Sequence, residues 1–132
     1  MIIIDSNVWI FAENQTADEH GIAARKVEQV VGTVGFGIDP IIVSEVFHAL
    51  SRLQGTKEAH TRVVHIVEHP VAQWLDHHRS TVVTAISLAT QSKLRINDAL
   101  IAQQALENRA AVLTDDVRDF KRVRGLKVIG LR

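Results

Sequence analysis

The chain has 132 residues, 15 basic and 15 acidic side chains, and no cysteine. Balanced charge excludes a surface coated evenly in positive charge, so any nucleic-acid contact must rest on a local patch. The missing cysteines exclude disulfides, thiolate–zinc sites and cysteine nucleophiles. At this length one core suffices, and a single globular domain over 1–132 is expected. No apolar run approaches the roughly 20 residues of a membrane span. The opening residues lack the cationic and long apolar regions of an export signal, so the cytoplasm is the expected location.

The first five residues, "MIIID", are continuously apolar up to Asp5. That is the pattern of a parallel strand covered on both faces rather than the alternation of a half-exposed one. A short helix holding Val8–Phe11 follows. Ile22, Ala23, Val27, Val30 and Val31 recur at helical spacing over about Ala17–Val34, and "GTVGFGIDP" then breaks the pattern, leaving room for a short strand at Phe36–Ile38. Pro40 is suited to the start of the next helix, whose apolar face runs through Val43, Val46, Phe47, Leu50 and Leu53 and stops before Gly55. Lys57–His69 reads as a helix ended by Pro70, "VAQWL" as a third strand, and Thr81–Lys93 as a further helix. "RINDALIAQQALENRA" is periodic over its length and leads into the strand "AVLT", after which a polar, charged connection reaches a last strand, "KVIG". Strands separated by helices predict an α/β fold, a three-layer sandwich around a mainly parallel sheet of about five strands. Ligands of such sheets sit beyond the carboxyl ends of the strands, where strand order reverses.

Carboxylates fall at those ends. Asp5 closes the first strand, and Asp115 and Asp116 follow the fourth. Glu45 and Asp98 interrupt helices that are otherwise apolar on the relevant face. Taken singly, each has a structural explanation. Asp5 suits a helix N-cap, Asn97 could cap the helix in which Asp98 complements the dipole, and Asp115 and Asp116 suit a turn. Glu45 resists this best, because it lies beyond the first turn between Val43, Val46 and Phe47. If the acids converge, they cannot all stay ionised at contact distance without a cation. Oxygen ligands then select Mg²⁺ or Mn²⁺, which would activate a water and neutralise a phosphodiester.

The strand-ending "DSN", the helical "SEVFHAL", the "NDALIA" helix and the "VLTDDVRDF" turn, in that order, resemble the PIN-domain ribonucleases, specifically the VapC-type toxins of toxin–antitoxin pairs. The resemblance covers essentially the whole chain. It implies that Asp5, Glu45 and Asp98 form an acidic metal-binding triad with Asp116 as fourth acid. Asn7 and Thr114 support the site, and Asp119 shares or replaces the role of Asp116. It further implies Mg²⁺- or Mn²⁺-dependent hydrolysis of RNA leaving a 5′-phosphate and a 3′-hydroxyl, a homodimer, and a small antitoxin protein that reaches into the acidic groove.

The last fifteen residues carry Arg118, Lys121, Arg122, Arg124, Lys127 and Arg132 against Asp119 alone. They form either an RNA-steering patch beside Asp116 or a solvated edge whose lysines discourage strand pairing. Arg118, Lys121, Arg122 and Arg124 are the candidates for backbone contact. "HIVEH" at 65–69 matches an inverted zinc-protease motif but has no third ligand, and Pro70 ends its helix at once. His48 is expected to be a partly buried structural residue, His77 and His78 surface or terminus residues, and Trp9 and Trp74 core or interface aromatics. The apolar helices near residues 20–35 and 57–69 offer a surface for a partner. Two other readings compete. A receiver-like Mg²⁺-binding module requires an acidic pair after the first strand and an aspartate after the third, where this chain has "DSN" and "LDHH"; an inactive binding scaffold would keep the fold alone.

Overall fold

A computed structural model describes residues 1–132. In chain order the elements are β1 (Ile2–Ile4), α1 (Ser6–Glu13), α2 (His20–Thr33), β2 (Phe36–Ile38), α3 (Pro40–Gln54), α4 (Thr56–Val67), β3 (Ala72–Trp74), α5 (Arg79–Ser92), α6 (Ile96–Glu107), β4 (Ala111–Thr114), α7 (Val117–Phe120) and β5 (Val128–Gly130). The five strands form one sheet in the order β3-β2-β1-β4-β5, and every pairing is parallel. The α/β architecture with a central five-stranded sheet flanked by helices is therefore the one read from the sequence.

The chain leaves β1 toward β2 and β3, then returns to the far side of β1 for β4 and β5. Right-handed crossovers carry the helices of these two excursions to opposite faces. In keeping with this, α1 packs on α2 and α3, α3 on α4, and α5 on α6. Strand order reverses between β1 and β4, so the crevice predicted for such sheets opens at their carboxyl ends. The two ends are tied together. The Asp5 N–H donates to the Leu113 carbonyl at 2.9 Å, one step beyond the last paired residues of β1.

The central strands are covered on both faces: Ile3, Ile4, Phe36, Ile38, Val112 and Leu113 belong to one continuous cluster of buried apolar side chains that reaches from Ile3 to Leu131. Gly37 of β2 is part of this packing. A Cβ there would meet Leu75 Cδ1 at 2.8 Å and Met1 Sδ at 3.0 Å, so the strand closes on its neighbours only without a side chain. Gly35, at φ +72°, turns the chain from α2 into β2, where a Cβ would also strike the Val71 carbonyl oxygen at 2.8 Å.

Three local expectations change. The charged connection before β5 contains a one-turn helix, α7. The residue at the N-cap of α6 is Arg95 rather than Asn97, which is already helical. His48 is exposed on α3, because it lies on the side of the helix opposite Val46 and Leu50.

Candidate functional site

Asp5 is 4% exposed and takes the N-cap role offered for it. Its backbone is extended at the N-cap of α1, and its Oδ1 accepts from the Ser6 N–H at 2.8 Å. Its Oδ2 accepts from the Thr114 hydroxyl at 2.7 Å, across the β1–β4 boundary. Both carboxylate oxygens are thus hydrogen-bonded where β1 and β4 end. Burial drives its pKa from 3.8 up to about 6; the hydrogen bonds from Thr114 and Ser6 resist that rise, and the carboxylates of Asp98 and Glu45 add to it.

Glu45 is half-buried on α3 and is held by Ser6, whose hydroxyl donates to Glu45 Oε1 at 3.0 Å. Ser6 therefore binds Asp5 through its N–H and Glu45 through its side chain, keeping two like charges apart by a fixed donor. Sequence reasoning left Ser6 without a role, although it stands inside the quoted "DSN".

Asp98, in the first turn of α6, is 5% exposed. One ligand oxygen from each of Asp98, Asp116 and Asp119 lies within 4.8 Å of the others. Burial raises the pKa of Asp98; the Arg95 guanidinium, at 3.5 Å, opposes the rise and the Asp119 carboxylate adds to it. Burial raises that of Asp116 too, reinforced by the adjoining carboxylates of Asp119 and Asp98. Asp116 occupies the N-cap position of α7 but makes no capping bond. Its own N–H donates to Thr114 Oγ1 at 2.9 Å, so the side chain is left to face the other acids.

Asp5 and Glu45 stand outside the Asp98–Asp116–Asp119 triangle but within electrostatic reach, since Asp98 and Glu45 both act on Asp5. Of the supporting residues, Thr114 bridges Asp5 and Asp116, and Asn7 Oδ1 accepts from the Asp115 N–H at 3.2 Å. Asp115 itself is turned away and clamped by Arg132 at 2.9 and 3.2 Å. The triangle gathers carboxylate oxygens from α6, the β4–α7 turn and α7, with neither thiolate nor imidazole. That donor chemistry fits a hard divalent cation.

The other motifs separate from this crevice. His65 and His69 meet edge to face with ring centroids 6.1 Å apart, but His69 Nδ1 accepts from the Val71 N–H at 3.2 Å and Glu68 is exposed, so "HIVEH" gathers no set of three ligands. His77 is not a surface residue: its Nε2 meets the buried Asp39 at 2.9 Å, at the carboxyl end of β2. Trp9 is buried, whereas Trp74 is 48% exposed with its indole N–H on Asp76. Among the basic candidates Arg118, Lys121 and Arg124 are exposed, and Arg122 is engaged by Asp119 and the Lys93 carbonyl, each at 3.2 Å. No helix is long and apolar enough to cross a membrane.

Comparison with known proteins agrees with this fold. The PIN-domain family model matches residues 2–126. Among solved structures, VapBC2 from Rickettsia felis, bound to a DNA fragment from its promoter, superposes with a TM-score of 0.74 at 20% identity, covering 98% of each chain. VapC20 from Mycobacterium tuberculosis, described as a sarcin–ricin-loop-cleaving toxin, superposes at 0.76 with 16% identity, over 92% of this chain and 93% of its own. VapBC-1 from nontypeable Haemophilus influenzae gives 0.75 at 20% identity, over 99% and 98%. No curated protein matches the chain in sequence. Identities this low speak to the fold, and the family model speaks to descent: the chain belongs to the PIN-domain family.

Proposed function

We propose that this protein is a metal-dependent endoribonuclease, a single catalytic domain over 1–132 acting in the cytoplasm as the toxin of a VapBC-type toxin–antitoxin pair. The observation that carries the reading is the approach of Asp98, Asp116 and Asp119 to within 4.8 Å beside the buried Asp5. Three carboxylates so placed repel one another and find no compensating cation inside the fold beyond Arg95 and Arg122 at the rim. Asp98, Asp116 and Asp119 would hold a Mg²⁺ or Mn²⁺ ion, with Asp5 and Glu45 completing its surroundings. Such an ion would lower the pKa of a bound water and supply positive charge for the phosphodiester. The protein's own part is positional: Thr114 and Ser6 fix the Asp5 carboxylate, Ser6 fixes Glu45, and Asn7 holds the turn that presents Asp116.

The antitoxin and homodimer belong to the same reading. A cleft of about 470 Å³ between α1, α2 and α4, lined by Trp9, Val27, Val31, Phe36 and Ile66, offers an apolar seat for a partner segment on the helices singled out in the sequence. Val82, Val83 and Ile86 leave an exposed apolar stripe on α5, suited to a second copy. A toxin–antitoxin complex from Klebsiella pneumoniae is among the solved structures similar to this chain, which supports a protein partner here.

The test is incubation of purified protein with total RNA in Mg²⁺ or Mn²⁺, with EDTA and the Asp98→Asn variant run alongside. Discrete fragments bearing 5′-phosphates, absent in EDTA and reduced at least ~100-fold by the substitution, are expected. Cleavage by Asp98→Asn equal to that of the parent would remove this site from the reaction.

A further inference from the structure

Resting on the nuclease reading, we infer that Arg95 is the phosphate-binding arginine of the site, the group that seats the RNA backbone beside the acidic cluster. It stands at the N-cap of α6, three residues before Asp98, and its side chain is 79% exposed. It meets Asp98 through Nε alone, at a loose 3.5 Å. No other hydrogen bond engages its guanidinium, which leaves both terminal nitrogens, the fork that matches a phosphate in two parallel bonds, free of protein partners.

Two of the other arginines near the cluster are committed elsewhere. Arg122 spends one terminal nitrogen on the Lys93 carbonyl and the other on Asp119. Arg132 is divided between Asp115 and Glu19. The Arg122–Lys93 bond has a second consequence, because it ties the α5–α6 turn to the end of α7. Exposed Lys93 and Arg95 thereby extend the basic rim of Arg118, Lys121 and Arg124 around the acids. A polyanion lying on this rim brings one phosphate under the Arg95 fork and over the carboxylates that would hold the cation. The loose tether to Asp98 lets the side chain turn onto the substrate without unmaking a buried bond.

The experiment compares Asp5→Asn with Asp5→Asn/Arg95→Ala and Asp5→Asn/Arg95→Lys, so that cleavage does not interfere. Binding of a fluorescently labelled 20-nucleotide single-stranded RNA of mixed sequence is followed by anisotropy in Mg²⁺ from 50 to 300 mM KCl, and Mn²⁺ binding to each variant by calorimetry. Arg95→Ala is expected to weaken RNA binding about tenfold at 100 mM KCl and to reduce the salt slope by about 0.7, the loss of one phosphate contact to a single strand. Arg95→Lys should restore the slope, and Mn²⁺ affinity should hold or tighten in both. An unchanged slope overturns the inference. So does a weakened Mn²⁺ affinity in Arg95→Ala, which would make Arg95 a support for the acids instead of a ligand for phosphate. Failure of the parent protein to cleave RNA in Mg²⁺ would count separately, against the nuclease reading.

Discussion

The Thr114 hydroxyl donates to Asp5 Oδ2 and accepts from the Asp116 N–H, so one oxygen sets the spacing of two acids from different strands. Thr114→Val keeps the shape and removes both bonds inside a buried site. It should lower stability by about 1–3 kcal/mol in denaturant melts and weaken Mn²⁺ binding about 10- to 100-fold by calorimetry. Asp5 makes the opposite prediction for stability. Its pKa in the fold lies near 6, above 3.8, so the folded state binds the proton more tightly than the unfolded chain. Its contribution is fully present below pH 3.8 and is lost as pH rises through about 6. A shift of this size corresponds to about 3 kcal/mol. Asp5→Asn should therefore stabilise the metal-free protein at pH 7.5 by up to that amount, with the gain vanishing toward pH 4, while abolishing cleavage. Melting both forms across this pH range in EDTA checks the sign. The same residue shows what a sequence can disclose: "IIID" announces a buried carboxylate at a strand end, but only the fold shows that one carboxylate both caps a helix and meets Thr114 across the β1–β4 boundary.

At the scale of elements, the strongly patterned segments are legible almost to the residue. Phe36–Ile38, Pro40–Gln54 and Ala111–Thr114 carry either continuous apolar runs or a helical stripe bounded by proline and glycine. α7 is not legible, because a four-residue helix is too short to show a period and its residues read as a charged turn. That matters for the site, since this one turn of helix carries Asp119, whose carboxylate lies within 4.8 Å of those of Asp116 and Asp98. Arg95 was hidden for a related reason: an arginine three residues before an acid is a common helix-surface pair, and only its exposure and its unengaged fork set it apart. β2 supplies an element-level prediction. Gly37→Ala should cost about 1–3 kcal/mol by overpacking against Leu75, Met1 and Ile3, read as a lower melting temperature with Mn²⁺ affinity unchanged.

Across the whole molecule, zero net charge hides a strong separation of charge. Acids meet in the crevice at the reversal of strand order, and bases ring it on the α5–α6 turn and around α7. Such an arrangement repels itself, and a bound cation would relieve it. Mg²⁺ or Mn²⁺ at 100 times its dissociation constant should stabilise the protein by about 2.7 kcal/mol, reversibly with EDTA. The gain should be smaller at pH 5 than at pH 7.5, because a proton on Asp5 competes with the ion. Differential scanning calorimetry at the two pH values measures both effects.

The contrast between Trp9, 3% exposed with its indole nitrogen unpartnered, and Trp74, 48% exposed, also gives the protein two emitters in unequal surroundings. Acrylamide should quench the Trp74 emission and leave a blue-shifted remainder from Trp9. That remainder comes from the helix Asp5 caps, so its wavelength reports on the packing behind the crevice without any added dye.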